Sequence, residues 1–564
     1  MHNQLFSWAV TERYFHHRGA EVAQRHTERR KREAERERKW KALSPISLSS
    51  QKPLCISVRP LRLCGEINLG RLTTLILSLF LLSVSALAQT NSTLITNGKM
   101  IDGTGAKAKS VAIRIVGDTI TEIGKLTPQP NEHVMDARGH VVAPGFIDIH
   151  NHSESGLESQ PTANSQILQG ITTLGVGPDG GSPWPIAEYL QRREQKPPAV
   201  NVLAFVGHAT VRRMVLGKEF NRTATKAEIE QMAALVEQGM RTGAVGLSTG
   251  LEYDVGLPST TEEVIALAKV AAKYGGIYMS HIRDEADSML TALKEAIRIG
   301  REAKIPVQIS HIKLGTIGVW GKALEVVAMI EEARKDKVDV TADCYPYDAW
   351  SSTITVLIPS RKHDDPREVS KGLNDAGGAA NVTITSCSHH REYEGKTLEK
   401  LAEENKTTAV EMYMRIVKDG GAGVVCRSMI DKDIEVFYRQ PWVMVSSDGG
   451  INGRHPRGAG TFPRVLGRYV REKKWLSLPE AIRKMTSFPA ARLGLKDRGI
   501  LRAGAKADVV IFDAKKVLDQ ATFAKPLEEP IGIVHVFVNG EQVVSEGKVS
   551  GATPGRVLLN PKAK

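Results

Sequence analysis

From residue 225 to residue 341 the chain alternates short apolar runs with longer stretches of helical spacing. Residues 225–240 carry apolar positions at helical intervals after a Thr-rich start, which predicts a helix. Residues 243–247 (Gly-Ala-Val-Gly-Leu) read as a strand, and Ser259-Thr-Thr-Glu-Glu263 opens a second helix that runs to Gly275. A strand over 277–280, a helix over 286–303, a strand over 307–310, a helix over 322–334 and a strand over 338–341 follow. The repeat is about 30 residues, the length of one strand-plus-helix unit. Serial units of this kind build a parallel sheet, and this many favour a closed (β/α)8, TIM-like barrel. No Gly-x-Gly-x-x-Gly follows a strand to argue for a dinucleotide-binding sheet.

The two ends of the chain have a different rhythm. Residues 93–136 alternate with period two in short segments, Leu94-Ile-Thr, Val111 to Val116 and Ile120 to Ile123, broken by Gly and Asp turns. The far end repeats this in Ala507 to Phe512, Ile533 to Val538 and Gln542 to Val544, with Asn539-Gly540 as a hairpin signal. Neither end has enough strands for a stable sheet, so the two are expected to pair into one β-domain.

Length fits more than one core: 564 residues exceed what a single domain usually holds. The +13 formal charge suggests nucleic acid until it is located. Residues 1–88 hold 15 Lys/Arg against 7 Asp/Glu and so supply +8, which leaves an unremarkable +5 for the rest. No nucleic-acid partner is expected. Arg25 to Lys41 is a mixed-charge run that cannot fold alone. Arg71 to Ala88 has a basic flank, an apolar core and Ser85-Ala-Leu-Ala88, the layout of a secretory signal, with a core too short for a comfortable membrane span. The expectation is export to the periplasm or medium, with translation starting near Arg71; the alternative is a membrane anchor formed by that segment. Five cysteines without a C-x-x-C argue against a disulfide scaffold or a zinc ribbon.

The candidate chemistry sits where strands stop. The apolar run Phe146 to Ile149 ends in His150-Asn-His152, and period-two alternation puts both imidazoles on one side. Further strands end at His281, His311 and Asp448. Barrel active sites lie at the C-terminal ends of the strands, so all five converge. Imidazole and carboxylate donors suit zinc, with manganese, iron or nickel as alternatives. Five donors exceed one tetrahedral ion and point to one or two Zn2+ ions. A bridging anion comes from Asp179, in Gly177-Pro-Asp-Gly180, with Glu252 as its rival. A metal at such a site activates water for attack on a carbonyl carbon. Asp448 can take that water's proton and return it to the leaving nitrogen, as general base and then general acid. Lys313, Tyr345 and Arg457 stand close to these ligands in sequence and suit a substrate carboxylate.

At this point the sequence resembles the amidohydrolase superfamily and, within it, the N-acyl-D-amino-acid deacylase (D-aminoacylase) family. The resemblance spans roughly 92–560 and rests on Pro144-Gly-Phe-Ile-Asp-Ile-His-Asn-His, Gly170-Ile-Thr-Thr, Gly246-Leu-Ser-Thr-Gly-Leu-Glu-Tyr, Ser280-His-Ile-Arg-Asp-Glu, Ser310-His-Ile-Lys, Tyr345-Pro-Tyr, Ser447-Asp-Gly and His455-Pro-Arg. It implies a metal-dependent barrel with a small β-sandwich from both termini. It implies zinc at His150, His152, His281, His311 and Asp448, and carboxylate recognition by Lys313, Arg457 and one tyrosine, Tyr345 or Tyr347. It also implies a subdomain inserted late in the barrel. The expected organisation is an extension over 1–88, the N-terminal half of the sandwich over 89–145, a barrel over 146–499 with an insertion at about 361–432, and the C-terminal half of the sandwich over 500–564. One departure stands out: well-known members carry a bridging cysteine where this chain has Asp179.

The expected activity is hydrolysis of the amide of small N-acyl-D-amino acids, releasing a carboxylate and a D-amino acid. A D-aminoacyl or isoaspartyl-type dipeptidase, or a cyclic amidase, is the alternative on the same scaffold. A non-catalytic assembly barrel would have lost ligands, and none is lost here.

Overall fold

The computed structural model describes residues 92–563. The charged arm and the signal-like segment lie outside the described residues. Among the described residues no helix is long and apolar enough to cross a membrane.

The chain ends do pair. Five N-terminal strands, Ser92–Met100, Lys109–Val116, Thr119–Gly124, His133–Asp136 and Val141–Pro144, join four C-terminal ones, Val509–Phe512, Ile533–Val538, Glu541–Ser545 and Lys548–Val549, in one nine-stranded sheet. Val141–Pro144 runs antiparallel to Val509–Phe512 and makes the junction. Alternation along these strands serves two cores. Val142, Val509, Ile511 and Phe537 pack with Ile95, Ile113 and Ile115, while Val141, Ala143, Val510, Phe512 and Val536 join the main core. The sheet curls on itself: Ile120 donates its N–H to Ala505 O at 2.8 Å, and Thr119 bridges Lys506. Asn539 and Gly540 both have positive φ, 49° and 82°, as a two-residue hairpin of this hand requires.

The middle of the chain closes into a barrel of eight parallel strands. These are β1 (Phe146–Asn151), β2 (Ile171–Val176), β3 (Asn201–Ala204, continuing into Val206–Gly207), β4 (Gly246–Gly250), β5 (Ile277–His281), β6 (Val307–Ile309), β7 (Val340–Cys344) and β8 (Val443–Val445). Each pairs with the next. The seam between β8 and β1 closes through an Asn151–Gly449 bridge and the Asp448 N–H donated to His150 O at 3.0 Å. Ile147, Leu203, Phe205, Met279 and Met444 form one cluster. They come from strands that are not all neighbours, so they meet across the lumen.

Three of the boundaries that differ from expectation do so for a clear local reason. β4 starts at Gly246 rather than Gly243, because Gly243 has φ +106° and ends the turn after the helix Lys226–Arg241. The helix Met289–Ala303 starts late because Asp284 Oδ1 accepts from Ala286 N at 2.6 Å and Ser288 N at 3.3 Å, a local turn that competes with helix. β7 starts at Val340 because Val338 N still donates to Ala333 O and closes the preceding helix.

A smaller unit interrupts the barrel between β7 and β8. It has an antiparallel sheet in the order Trp350–Thr353, Gly423–Cys426, Val382–Ser386 and its own core of Ile354, Leu357, Val369, Ile384, Leu401, Met412 and Val424. It begins at Trp350, ahead of residue 361, since the polar run Ser351-Ser352-Thr353 carries no strand signal of its own.

Candidate metal centre

His150, His152, Asp179, His281, His311 and Asp448 all reach the C-terminal mouth of the barrel. A register shift between Asp148 and Asn151 bends the end of β1 there. Asp179 Oδ2 lies at the centre, 3.2 Å from His150 Nε2, 3.5 Å from His152 Nε2 and 3.4 Å from His311 Nε2. Asp448 Oδ1 lies 3.4 Å from His150 Nε2 and 3.2 Å from His152 Nε2. His281 Nδ1 is 2.9 Å from His311 Nε2, and His281 Nε2 is 2.7 Å from Glu252 Oε2. Between the two bridge candidates, Asp179 touches both sides of the cluster and Glu252 touches only its outer histidine.

Three of the candidate ligands also have an unusual backbone conformation. Asp179, His311 and Asp448 have φ of 54°, 33° and 48°, in or beside a left-handed region that few non-glycine residues occupy. Buried supports hold them. Asp343 on β7 lies 3.4 Å from His150 Nδ1 and accepts from the His311 N–H at 2.9 Å, from Ser446 Oγ and from Gln308 Nε2. Asp148 on β1 accepts from Ser447 N at 2.9 Å and from Ser447 Oγ at 2.5 Å.

The electrostatics follow from this crowding. Burial opposes the charged imidazole of His150, but Asp179 and Asp448 outweigh it and hold its pKa well above the ordinary value. His152 is pushed up to about 9 in the same way, by the same two carboxylates against desolvation. For Asp448, burial again opposes charge, and Arg457, His311 and His150 hold the carboxyl well below the usual range. Asp179 meets the same opposition from burial and is held low by His150 and His311. Both aspartates are therefore anionic donors at neutral pH.

The donor set fits a divalent cation. Ligand atoms of His150, Asp179, His311 and Asp448 lie within 4.8 Å of one another, and His281, Glu285 and His311 form a second such group. The two groups share His311 and so lie side by side. Asp179 Oδ1 is buried without a hydrogen-bond partner, an acceptor facing no donor. All these donors are nitrogen or oxygen, which suits zinc.

A cavity of about 1000 Å3 opens from the centre. Lys313 and Arg457 line it beside the cluster, and Trp350, Leu357 and Ile358 of the inserted unit form its far wall. Arg457 lies 2.6 Å from Asp448 Oδ2, and Lys313 Nζ lies 2.5 Å from Glu285 Oε2. Tyr345 is not in that wall. It packs behind the two cations, 4.8 Å from Arg457 and 5.9 Å from Lys313, with a buried hydroxyl that has no partner. Tyr347 is turned away and donates to Pro456 O.

The family model described as the amidohydrolase family matches residues 133–544. The chain belongs to the amidohydrolase family. Among curated amidohydrolase relatives, the D-aminoacylase of Alcaligenes xylosoxydans xylosoxydans is 35% identical over 498 residues, covering 83% of this chain and 98% of its own. The N-acyl-D-glutamate deacylase of the same organism is 36% identical over 488 residues, covering 82% and 96%. A solved N-acyl-D-glutamate deacylase from Bordetella bronchiseptica, complexed with zinc and a phosphonate mimic of the tetrahedral intermediate, superposes with a TM-score of 0.75 at 33% identity, covering 83% of this chain and 99% of its own.

Four further contributors carry weaker marks in the sequence and are not among its predicted site residues. Asp148 and Asp343 stand inside apolar runs, where a carboxylate is itself a signal. Glu285 follows His281 by four positions. Tyr253, next to Glu252 and just beyond β4, stacks on His281 with ring centroids 4.5 Å apart and lines the cavity.

Proposed function

We propose that this amidohydrolase cleaves the amide bond of N-acyl-D-amino acids, giving a carboxylate and a free D-amino acid. The observation that carries the reading is the pair of cations, Lys313 and Arg457, on the cavity wall directly beside the histidine–aspartate cluster. A substrate with its carboxylate one carbon from the scissile nitrogen spans those two features. The D configuration and the acyl link follow the named activities of the relatives.

His150, His152, Asp179, His281, His311 and Asp448 would hold one or two zinc ions. Zinc bound there supplies a lowered pKa for its water and polarisation of the scissile carbonyl. Lys313 and Arg457 hold the substrate carboxylate and fix the amide over the cluster. Asp448, kept anionic beside Arg457, takes the proton of the attacking water and delivers it to the departing nitrogen. Tyr345 backs the two cations and orients them. Trp350, Leu357 and Ile358 of the inserted unit add apolar surface to the cavity. Glu154 and Asp284 on the same cavity lining favour a second reading, a D-aminoacyl dipeptidase, because they could pair with a free amine. The 71–88 segment would direct export with translation starting near Arg71, and N-terminal sequencing of the natural product tests that start: retention of Met1 argues against it and for the membrane-anchor alternative.

Amine release by the zinc-loaded protein decides the main question. Turnover of N-acetyl-D-amino acids, with N-acetyl-L forms inert and Asp448→Asn inactive, is the expected result. Turnover of dipeptides alone would move the function to a peptidase.

A further inference from the structure

Asp179 is held in an unfavourable conformation at the centre of the cluster. Its turn, Gly177-Pro178-Asp179-Gly180, is gripped by β4. The fully buried Ser248 side chain donates to Gly177 O at 2.6 Å and accepts from Gly180 N at 3.2 Å. These two groups flank Pro178-Asp179, so one hydroxyl ties both ends of the turn. The packing is tight around that tie. A Cβ at Gly250 would lie 2.3 Å from Asp179 O, and one at Gly180 would lie 2.8 Å from Gly250 N. Thr210 N donates to Gly180 O at 3.1 Å, and Gly177 N donates to Glu154 Oε1 at 2.6 Å. Each of these reaches one end of the turn, whereas Ser248 reaches both.

We propose that Ser248 is a positioning residue whose hydroxyl holds Asp179 in its left-handed conformation and thereby sets the affinity of the metal centre. Without the hydroxyl, Gly177 O and Gly180 N lose their partners in a dry environment. Asp179 then relaxes toward negative φ, which L residues prefer. Its carboxylate swings away from the point it shares between the H-x-H pair and His311. The proposal rests on the metal-dependent reading above and extends it to a residue outside the ligand set.

The test is a double-mutant cycle read on zinc binding. The parent, Ser248→Ala, Asp179→Ala and the double variant are dialysed against a graded zinc buffer, and bound zinc is measured beside a circular-dichroism melting curve. Ser248→Ala is expected to weaken zinc binding about 10–100-fold, the usual effect of removing a group that orients a ligand. In the Asp179→Ala background the same change should add less than about twofold, because the two residues act as one unit. Ser248→Cys, similar in volume with a weaker donor, should fall between the parent and Ser248→Ala, and it replaces the alanine variant in the cycle if that one does not fold. A purely structural serine would lower the melting temperature and leave zinc affinity at the parent value. That outcome, or an equal loss in both backgrounds, overturns the proposal. The parent is measured first: failure of the parent to bind zinc would remove the metal-centre reading itself and is distinct from either result.

Discussion

At the foot of the barrel Asp508 accepts from Arg498, from Asn201 Nδ2 at 3.0 Å and from the Asn539 N–H at 2.7 Å. Asn539 in turn donates to Asn201 Oδ1 and to Pro554 O and accepts from Arg498. At the mouth, Asp179 and Asp448 stand among three imidazoles with an oxygen left unpaired and the backbone strained at three donors. Both clusters are buried and both mix carboxylates with cations. The lower one satisfies each carboxylate and amide oxygen, and it joins the terminal sheet to the start of β3. The upper one leaves Asp179 Oδ1 facing no protein donor. Burial of charge is therefore a poor guide to function by itself. The state of its lone pairs separates a fastener from a site.

Mutations at the two ends should separate cleanly. The largest effect is expected for Asp448→Asn, a fall in kcat of about 1000-fold, with the folded fraction at 25 °C unchanged by circular dichroism; a loss of structure matching the loss of rate would make the upper cluster a fastener too. Asp508→Ala should do the reverse. It strands the Arg498 guanidinium and is expected to lower stability by about 3–5 kcal/mol in urea titration, while kcat per folded molecule stays at the parent value. A tenfold drop in kcat there would erase the distinction. Zinc at 100 times its Kd should raise stability by about 2.7 kcal/mol, equally in the parent and in Asp508→Ala but far less in Asp179→Ala, as followed by calorimetry. The tyrosine pair gives the finest contrast. Tyr345→Phe removes a buried hydroxyl that has no partner and does not line the cavity, and should leave KM within about twofold of the parent and stability within about 0.5 kcal/mol. Tyr347→Phe loses its bond to Pro456 O, should lower stability by about 1 kcal/mol, and should leave KM alone.

Much of the upper cluster is legible in the amino-acid sequence, and little of the lower one. His150, His281, His311 and Asp448 end apolar runs, so barrel geometry alone gathers them. Asp179 shows only as an acidic residue in a Pro-Asp-Gly turn; its central place depends on contacts with β4, which local sequence does not encode. Asp508 and Asn201 lie 307 positions apart, so no window of sequence joins them. The inserted unit shows as a charged, irregular stretch, yet its first strand does not, because Ser351-Ser352-Thr353 becomes a strand only by pairing with Gly423–Cys426. The terminal sheet is the most legible region, since its alternation is local and its two halves are each too small to stand alone.

The seam between β8 and β1 is joined through the candidate ligands themselves. Its backbone links include the Asp448 N–H to His150 O and the His152 N–H to Gly449 O at 2.7 Å, so it is laced through the same residues that converge on the candidate ion. An ion drawn between His150 and Asp448 would pull the two margins together, and its loss would let them breathe. The amides of His152 and Asp448 should then exchange with deuterium slowly in the loaded protein and faster after chelation, while those of β5 and β6 across the barrel keep one pace. The last lace of the barrel and the grip on the metal would be a single object, and the exchange clock of those two amides would report occupancy without any substrate present.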